Sequence, residues 1–122
     1  MTYVSGFLTP VPTANREAYE RTARAGWEAF RDYGAIEFVE CWGDDVPRGE
    51  HTDFYRAVKA GDDETVVFSW IVWPDKETSE RCYAAMETDE RFRNMEMPFD
   101  GKRMMWGGFM PIVDERSAAT PS

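Results

Sequence analysis

Ten consecutive residues constrain this chain more than any other stretch: Glu64-Thr-Val-Val-Phe-Ser-Trp-Ile-Val-Trp73. β-Branched and aromatic side chains dominate the run, so it reads as a strand. Side chains of a strand alternate between its two faces. Val66, Phe68, Trp70 and Val72 then point one way, and Val67, Ser69, Ile71 and Trp73 the other. Both sets are mainly apolar, so both faces of the sheet need cover. The chain has two good helices, enough for one face. In 122 residues, the cover expected for the other is a second copy of the chain.

The surrounding elements follow from periodicity and punctuation. Residues 2–9 alternate as a strand that Pro10 and Pro12 end. A helix is expected from about Thr13 to Tyr33, capped by Thr13 or Asn15 and closed by Gly34. Tyr19, Ala23, Trp27, Phe30 and Tyr33 form its apolar stripe. Ala35 to Gly43 reads as a second strand, followed by a loop rich in Gly, Asp and Pro. Phe54 to Lys59 reads as a short strand, turned by Ala60-Gly-Asp-Asp63 into a hairpin with the aromatic strand. Asp75 caps a second helix that runs to about Thr88, and Asp89 caps a further turn carrying Phe92. Lys102 to Val113 is the last strand, with Gly107 and Gly108 marking a bulge or the close approach of another chain. Residues 1–113 make one domain, and residues 114–122 read as a loose tail.

The order β-α-β-(β)-β-α-β, with right-handed crossovers, gives an α+β fold. It is a ferredoxin-like antiparallel sheet with both helices on one face. An open apolar face on such a sheet marks an interface or a ligand site. Two such sheets packed face to face would make a dimeric α/β barrel, with a pocket between sheet and helices.

Composition narrows the function classes. Fourteen basic against 23 acidic residues leave a net charge of −9, which opposes binding to phosphate backbones. No basic run or RNP-type motif supports stacking of single-stranded RNA on the open face. Cys41 and Cys82 form no C-x-x-C pair and read as two buried thiols in a reducing cytoplasm. No basic region precedes an apolar run at the N-terminus, and no apolar run approaches a membrane span. A cytoplasmic protein is expected.

Several segments together resemble one family. They are Tyr3-Val-Ser-Gly-Phe7, Glu40-Cys-Trp-Gly-Asp-Asp-Val-Pro47, Ala57-Val-Lys-Ala60, Asp63 to Ile71, Met97-Pro-Phe-Asp-Gly-Lys-Arg-Met104 and Gly107-Gly-Phe109. The chain is similar in these to the YbaA-like bacterial proteins, the family filed as domain of unknown function 1428. The Met97–Met104 segment is the most specific part. The resemblance implies membership of the dimeric α/β-barrel superfamily. That superfamily includes cofactor-free monooxygenases, cyclases, isomerase-like enzymes, haem-using enzymes and binding proteins. Fold analogy alone does not choose among them.

Glu40 is the candidate general base. It shares a strand face with Ile36, Phe38 and Trp42, and burial among aromatics would raise its pKa towards neutrality. The plainer reading is a carboxylate in water, or one paired with Arg103 or Lys59. Lys59, Lys102 and Arg103 stand near turns and would anchor an anionic group if they face inward. The plainer reading for them is surface ion pairing. Ser69, Trp42 and Trp70 are candidate ligand-lining residues. Ser69 has no base in sequence reach to make it a nucleophile, since the one histidine, His51, lies in a loop. Asp44, Asp45, Glu50, His51 and Asp53 are rich in oxygen, but their spacing is not that of an EF-hand, and no metal is assigned. The methionines at 95, 97, 104, 105 and 110 suit an adaptable pocket or plain core.

Nucleotide, P-loop and thiol motifs are absent, so no cofactor is expected. Two readings follow. One is a cofactor-free enzyme of proton-transfer, isomerase/cyclase or monooxygenase type, or a plain binder, that takes a small apolar or carboxylated ligand between sheet and helices. The other is a non-catalytic dimeric accessory protein, whose polar residues only hold hairpins and interface together.

Overall fold

The computed structural model describes residues 1–118. Residues 119–122 of the expected tail lie outside the described residues, and 113–117 carry no regular structure. The chain runs β1 (Tyr3–Pro12), a 3-10 turn (Thr13–Asn15), α1 (Arg16–Asp32), β2 (Glu37–Trp42) and α2 (Phe54–Ala57). It continues with β3 (Glu64–Trp73), α3 (Lys76–Ala85), α4 (Glu90–Arg93) and β4 (Met105–Phe109). The strands form one antiparallel sheet in the order β2-β3-β1-β4, the ferredoxin-like arrangement.

The two faces of β3 part as its alternation requires. Ile71 and Trp73 join Cys82 and Ala35 in the main core, with Trp27 and Phe30 of α1, Tyr33 at its C-cap and Tyr83 of α3 packed around them. Val67 joins Val11 and Tyr19 in a second cluster. Both long helices therefore cover the Val67–Trp73 face. On the other face Phe68 stays 45% exposed.

Local chemistry sets the ends of the helices. Gly34 follows α1 at φ +108°, a conformation that needs no Cβ. Asp75 accepts the Thr78 N–H at 2.7 Å and caps α3. Asp89 accepts the Arg91 N–H at 2.9 Å and caps α4. Asn15 holds the N-cap position of α1 without capping it, because its amide donates to the Pro98 carbonyl at 2.9 Å. The Thr13 hydroxyl is likewise occupied, by Thr65 at 2.8 Å.

Three expectations are corrected. First, β1 passes through Pro10 and Pro12 instead of ending there. Thr13 N–H donates to the Asp63 carbonyl, so the odd-numbered residues of β1 bond to β3. The proline nitrogens face the other side, where β4 reaches only as far as Leu8, so no ladder bond is lost. Second, Phe54–Lys59 is not a strand. Asp53 accepts the Arg56 N–H at 2.8 Å and caps a helical turn, and Lys59 leaves it at φ +51°. Capping outweighs the β propensity of Phe54 and Tyr55, and β3 pairs with β1 and β2 instead of a hairpin partner. Third, the last strand spans only Met105–Phe109. Its glycines admit a side chain of the same chain: a Cβ on Gly108 would lie 2.0 Å from the Tyr3 hydroxyl.

Candidate functional site

A chamber of about 480 Å³ lies between the sheet and the helices. Its floor comes from β1, β2 and β3 through Phe7, Phe38, Glu40, Ser69 and Ile71. Tyr19 and Gly26 of α1 and Tyr83 of α3 stand over it. One wall is the irregular segment 94–104, which contributes Met95, Met97, Phe99 and Met104 to the lining. Two bonds tie that segment to α1: Asn15 to the Pro98 carbonyl and the Thr22 hydroxyl to the Glu96 carbonyl, the latter at 3.0 Å. Phe99 meets the Tyr19 ring edge-on at 5.6 Å between centroids. The lining has the character of a small-molecule pocket, largely apolar with a few convergent polar groups.

Sheet register places the polar groups. Glu40 pairs with Ser69, and Ser69 pairs with Phe7 across the next strand, so all three stand in one row. Tyr19 reaches down from α1 and donates its hydroxyl to Glu40 Oε1 at 2.8 Å. Burial raises the Glu40 carboxyl above its ordinary range, while the Tyr19 and Ser69 hydroxyls pull it part of the way back. Burial, then the adjoining Glu40 charge, holds the Tyr19 phenol far above its usual value, so Tyr19 remains a donor. Among the described residues, no Lys or Arg lines the chamber. Glu40 is paired with neither Arg103 nor Lys59.

Of the other sequence candidates, one joins Glu40 and the rest lie elsewhere. Ser69 lines the chamber beside Glu40. Trp42 lies one pair further along β2, packs on the Val11–Tyr19–Val67 cluster and carries the Arg16 guanidinium 5.4 Å above its ring. Trp70 is on the opposite face, where its indole donates to Glu37 at 2.9 Å. Lys59 and Lys102 are exposed. Arg103 grips both oxygens of Glu64 at 2.6 and 2.7 Å, meets Asp100 at 3.0 Å and donates to the Lys59 carbonyl at 2.9 Å. Its guanidinium closes the end of segment 94–104 against the start of β3. Tyr19 and Tyr83 were not candidates by sequence, because both sit in helical stripes that read as core.

The open face carries a second concavity, lined in part by Phe68, Trp70, Val72 and Phe109. Phe54 of α2 meets Phe68 at 6.3 Å on one flank. Cys41 shares this face and is exposed, contrary to the expectation of two buried thiols, because it points outward from the edge strand β2. Cys82 is buried, and burial pushes its thiol up to about 11. Asp53 of the acidic loop caps α2. Among the described residues, no group of three or more His, Cys, Asp or Glu side chains could hold a metal ion, and no helix is long and apolar enough to cross a membrane.

Residues 2–101 match the family described as protein of unknown function (DUF1428). The chain is also 47% identical over 117 residues to the uncharacterized protein YbaA of Escherichia coli strain K12, covering 94% of this chain and 100% of that protein. It belongs to the DUF1428 family. Among solved structures, it is similar to a dimeric ferredoxin-like protein from an uncultured marine organism, with TM-score 0.59 and 10% identity over 93% of this chain and 98% of the other. It is also similar to a mutant of SnoaB, a cofactor-independent oxygenase from Streptomyces nogalater, with TM-score 0.50 and 14% identity over 93% and 95% of the two chains. At these identities the likeness establishes the fold alone.

Proposed function

We propose that this chain is a proton-transfer enzyme that needs no cofactor, acts on a small neutral apolar molecule and uses Glu40 as its general base. One observation carries the reading: a single carboxylate in an apolar chamber, held by a phenol and a hydroxyl instead of a cation. An ion pair would keep Glu40 a weak base. Burial raises its pKa instead, and a base works best with a pKa near the working pH. Tyr19 fixes the direction of the carboxylate, and Ser69 supports it from the next strand. The lack of lining cations favours a neutral ligand over a carboxylated one. The cofactor-free chemistry named for SnoaB accords with this reading.

The working unit is a homodimer in which the open faces of two sheets cover one another. Phe68 at 45% and Phe109 at 60% exposure are the groups that gain most from that cover. The dimeric description of the marine ferredoxin-like relative supports the same assembly.

The test of catalysis is hydrogen–deuterium exchange into 2-tetralone, a neutral bicyclic ketone with acidic C–H groups, followed by NMR in D2O. The wild-type chain should accelerate exchange, with a rate that rises as the carboxylate of Glu40 forms. Glu40→Gln should abolish the acceleration without any loss of melting temperature. Equal rates for the two proteins would instead support a non-catalytic binding protein. Native mass spectrometry on the same sample should give twice the chain mass.

A further inference from the structure

The chamber has a second polar group that the reading of Glu40 does not use. Tyr83 comes down from α3 and lines the chamber. Its hydroxyl is hydrogen-bonded to the Ser5 hydroxyl. Ser5 also accepts the Trp73 indole N–H at 3.0 Å. Both Ser5 and Trp73 are closed to solvent, at 1% and 0% exposure.

Counting protons orients this chain of bonds. The indole nitrogen can only donate, so Ser5 accepts from it. Ser5 has one proton to place, and among the described residues the only acceptor its hydroxyl meets is the Tyr83 oxygen. The reverse arrangement would leave a buried hydroxyl proton without a partner, which proteins avoid. Ser5 therefore donates to Tyr83. The Tyr83 proton is then the free end of the chain Trp73–Ser5–Tyr83, on a residue that lines the chamber. Two donors behind it also make Tyr83 a stronger donor, since bonds in such chains polarise one another.

The position of this donor relative to Glu40 defines a ligand. Ser5 pairs with Ile71, and Ile71 with Phe38, so Ser5 lies two strands away from Glu40 and one row along. At sheet spacings, the two backbone positions are roughly 12 Å apart. We infer that the chamber takes a neutral, conjugated, two-ring-sized molecule, with an acidic O–H or C–H at the Glu40 end and a carbonyl oxygen at the Tyr83 end. The inference rests on the proposed role of Glu40 and names the substrate class for it.

The reaction this pair supports is an isomerisation along the conjugated system. A Glu40 oxygen forms a bond to the ligand proton as the ligand's C–H or O–H bond breaks. The released electron pair moves through the conjugation to the carbonyl oxygen, giving an enolate that Tyr83 holds by its hydrogen bond. Glu40 then returns the proton to a different atom of the same system. Atoms and electrons balance without an oxidant or reductant. Tyr83 acts here as the single donor of an oxyanion site, and Ser5 is its positioning residue.

The test uses three probes with the full chain: 6-acetyl-2-naphthol, with both ends; 2-naphthol, without the carbonyl; and 2-acetylnaphthalene, without the phenol. Binding is followed by fluorescence and by the absorption band of the acetylnaphthol. The wild type should bind 6-acetyl-2-naphthol roughly tenfold more tightly than 2-naphthol, the ratio expected for one well-placed hydrogen bond. Tyr83→Phe should erase that ratio, leave 2-naphthol binding unchanged and remove the red shift of the bound acetylnaphthol band. Ser5→Ala should reduce the red shift with a smaller loss of affinity. Equal affinity of the wild type for the two naphthols, or a Tyr83→Phe variant that keeps the ratio and the red shift, would overturn the role of Tyr83 and leave Glu40 standing. Binding of 2-acetylnaphthalene as tight as that of the acetylnaphthol, in wild type and Glu40→Gln alike, would overturn the role of Glu40 instead. Failure of all three probes to bind would overturn both.

Discussion

The two faces of the one sheet are built from the same strands and differ in what they bury. The helix side holds Ser5, Thr9 and Ser69 at 1–2% exposure, together with Glu40. The open side carries Phe68, Trp70, Val72 and Phe109, and Thr2, Glu37, Asp114 and Arg116 also line its concavity. The ordinary expectation is the reverse, with polar groups out and apolar groups in. Each reversal has its own reason. A polar group on the covered side is tolerated because it is bonded: Glu40 by Tyr19, Ser5 by Trp73 and Tyr83. On the open side Phe68 and Phe109 stay 45% and 60% exposed within the chain. On the proposed reading, the covered face is the site and the open face the contact surface.

The largest effect that would sharpen this contrast comes from two aromatic residues of β3. Trp73→Ala opens a cavity in the main core and removes one of the two partners of Ser5, so it should cost about 3–5 kcal/mol in urea unfolding. Phe68→Ser, on the other face, should cost an isolated chain about 1 kcal/mol or less. It should instead weaken self-association by roughly tenfold or more in sedimentation velocity. If Phe68→Ser unfolds the chain as readily as Trp73→Ala, or leaves the mass in solution untouched, the two faces do not differ as described.

A smaller effect concerns the closing of the chamber. Glu64 is held below the ordinary carboxylate range, chiefly by its bonds from Arg103. Its contribution to stability is present above the unfolded-state pKa and is lost as pH falls through the lower folded value. Glu64→Gln should lower the melting temperature by about a few degrees near neutral pH, and the gap should close in acid. Amide exchange in segment 94–104 should speed up in the same variant. An unchanged exchange pattern would show that the Arg103 clamp does not hold the chamber wall.

Glu40 has the opposite sign. Its folded-state pKa lies above the unfolded value, so its contribution is fully present below the unfolded pKa and is lost as pH rises through the folded one. Glu40→Gln keeps an acceptor for Tyr19 without a buried charge. The variant should therefore melt at a higher temperature than wild type in mild alkali and at the same temperature in mild acid. A variant that gains stability as it loses its base behaves as expected of a functional group retained at a cost. Loss of stability at every pH would make Glu40 a structural residue.

Sequence pattern carried the fold where local and long-range signals agree. The alternation of Glu64–Trp73, the stripe of α1, and the capping residues Asp75, Asp89 and Gly34 all act within a few residues, and each sits where expected. The Phe54–Lys59 segment has the β-formers of a strand, but the bonds that Asp53 accepts from Gly49 and Arg56 fix a helical turn there. Of the site, Glu40 and Ser69 could be seen as strand neighbours of aromatic residues. Tyr19 and Tyr83 could not, since a phenol in a helical stripe looks like core until the sheet register brings a carboxylate or a serine under it. Arg103 illustrates the limit from the other side. Its chemistry suited an anion anchor, but the anions it grips are Glu64, far away in sequence, and Asp100, in its own turn.

The most direct measurement is the titration of the Glu40 carboxyl carbon by NMR, in protein labelled at glutamate and assigned with Glu40→Gln. A buried base in an apolar chamber should titrate clearly above the surface glutamates, and its resonance should respond to Tyr19→Phe. A Glu40 signal that titrates together with the exposed glutamates, unmoved by loss of the Tyr19 hydroxyl, would contradict the account.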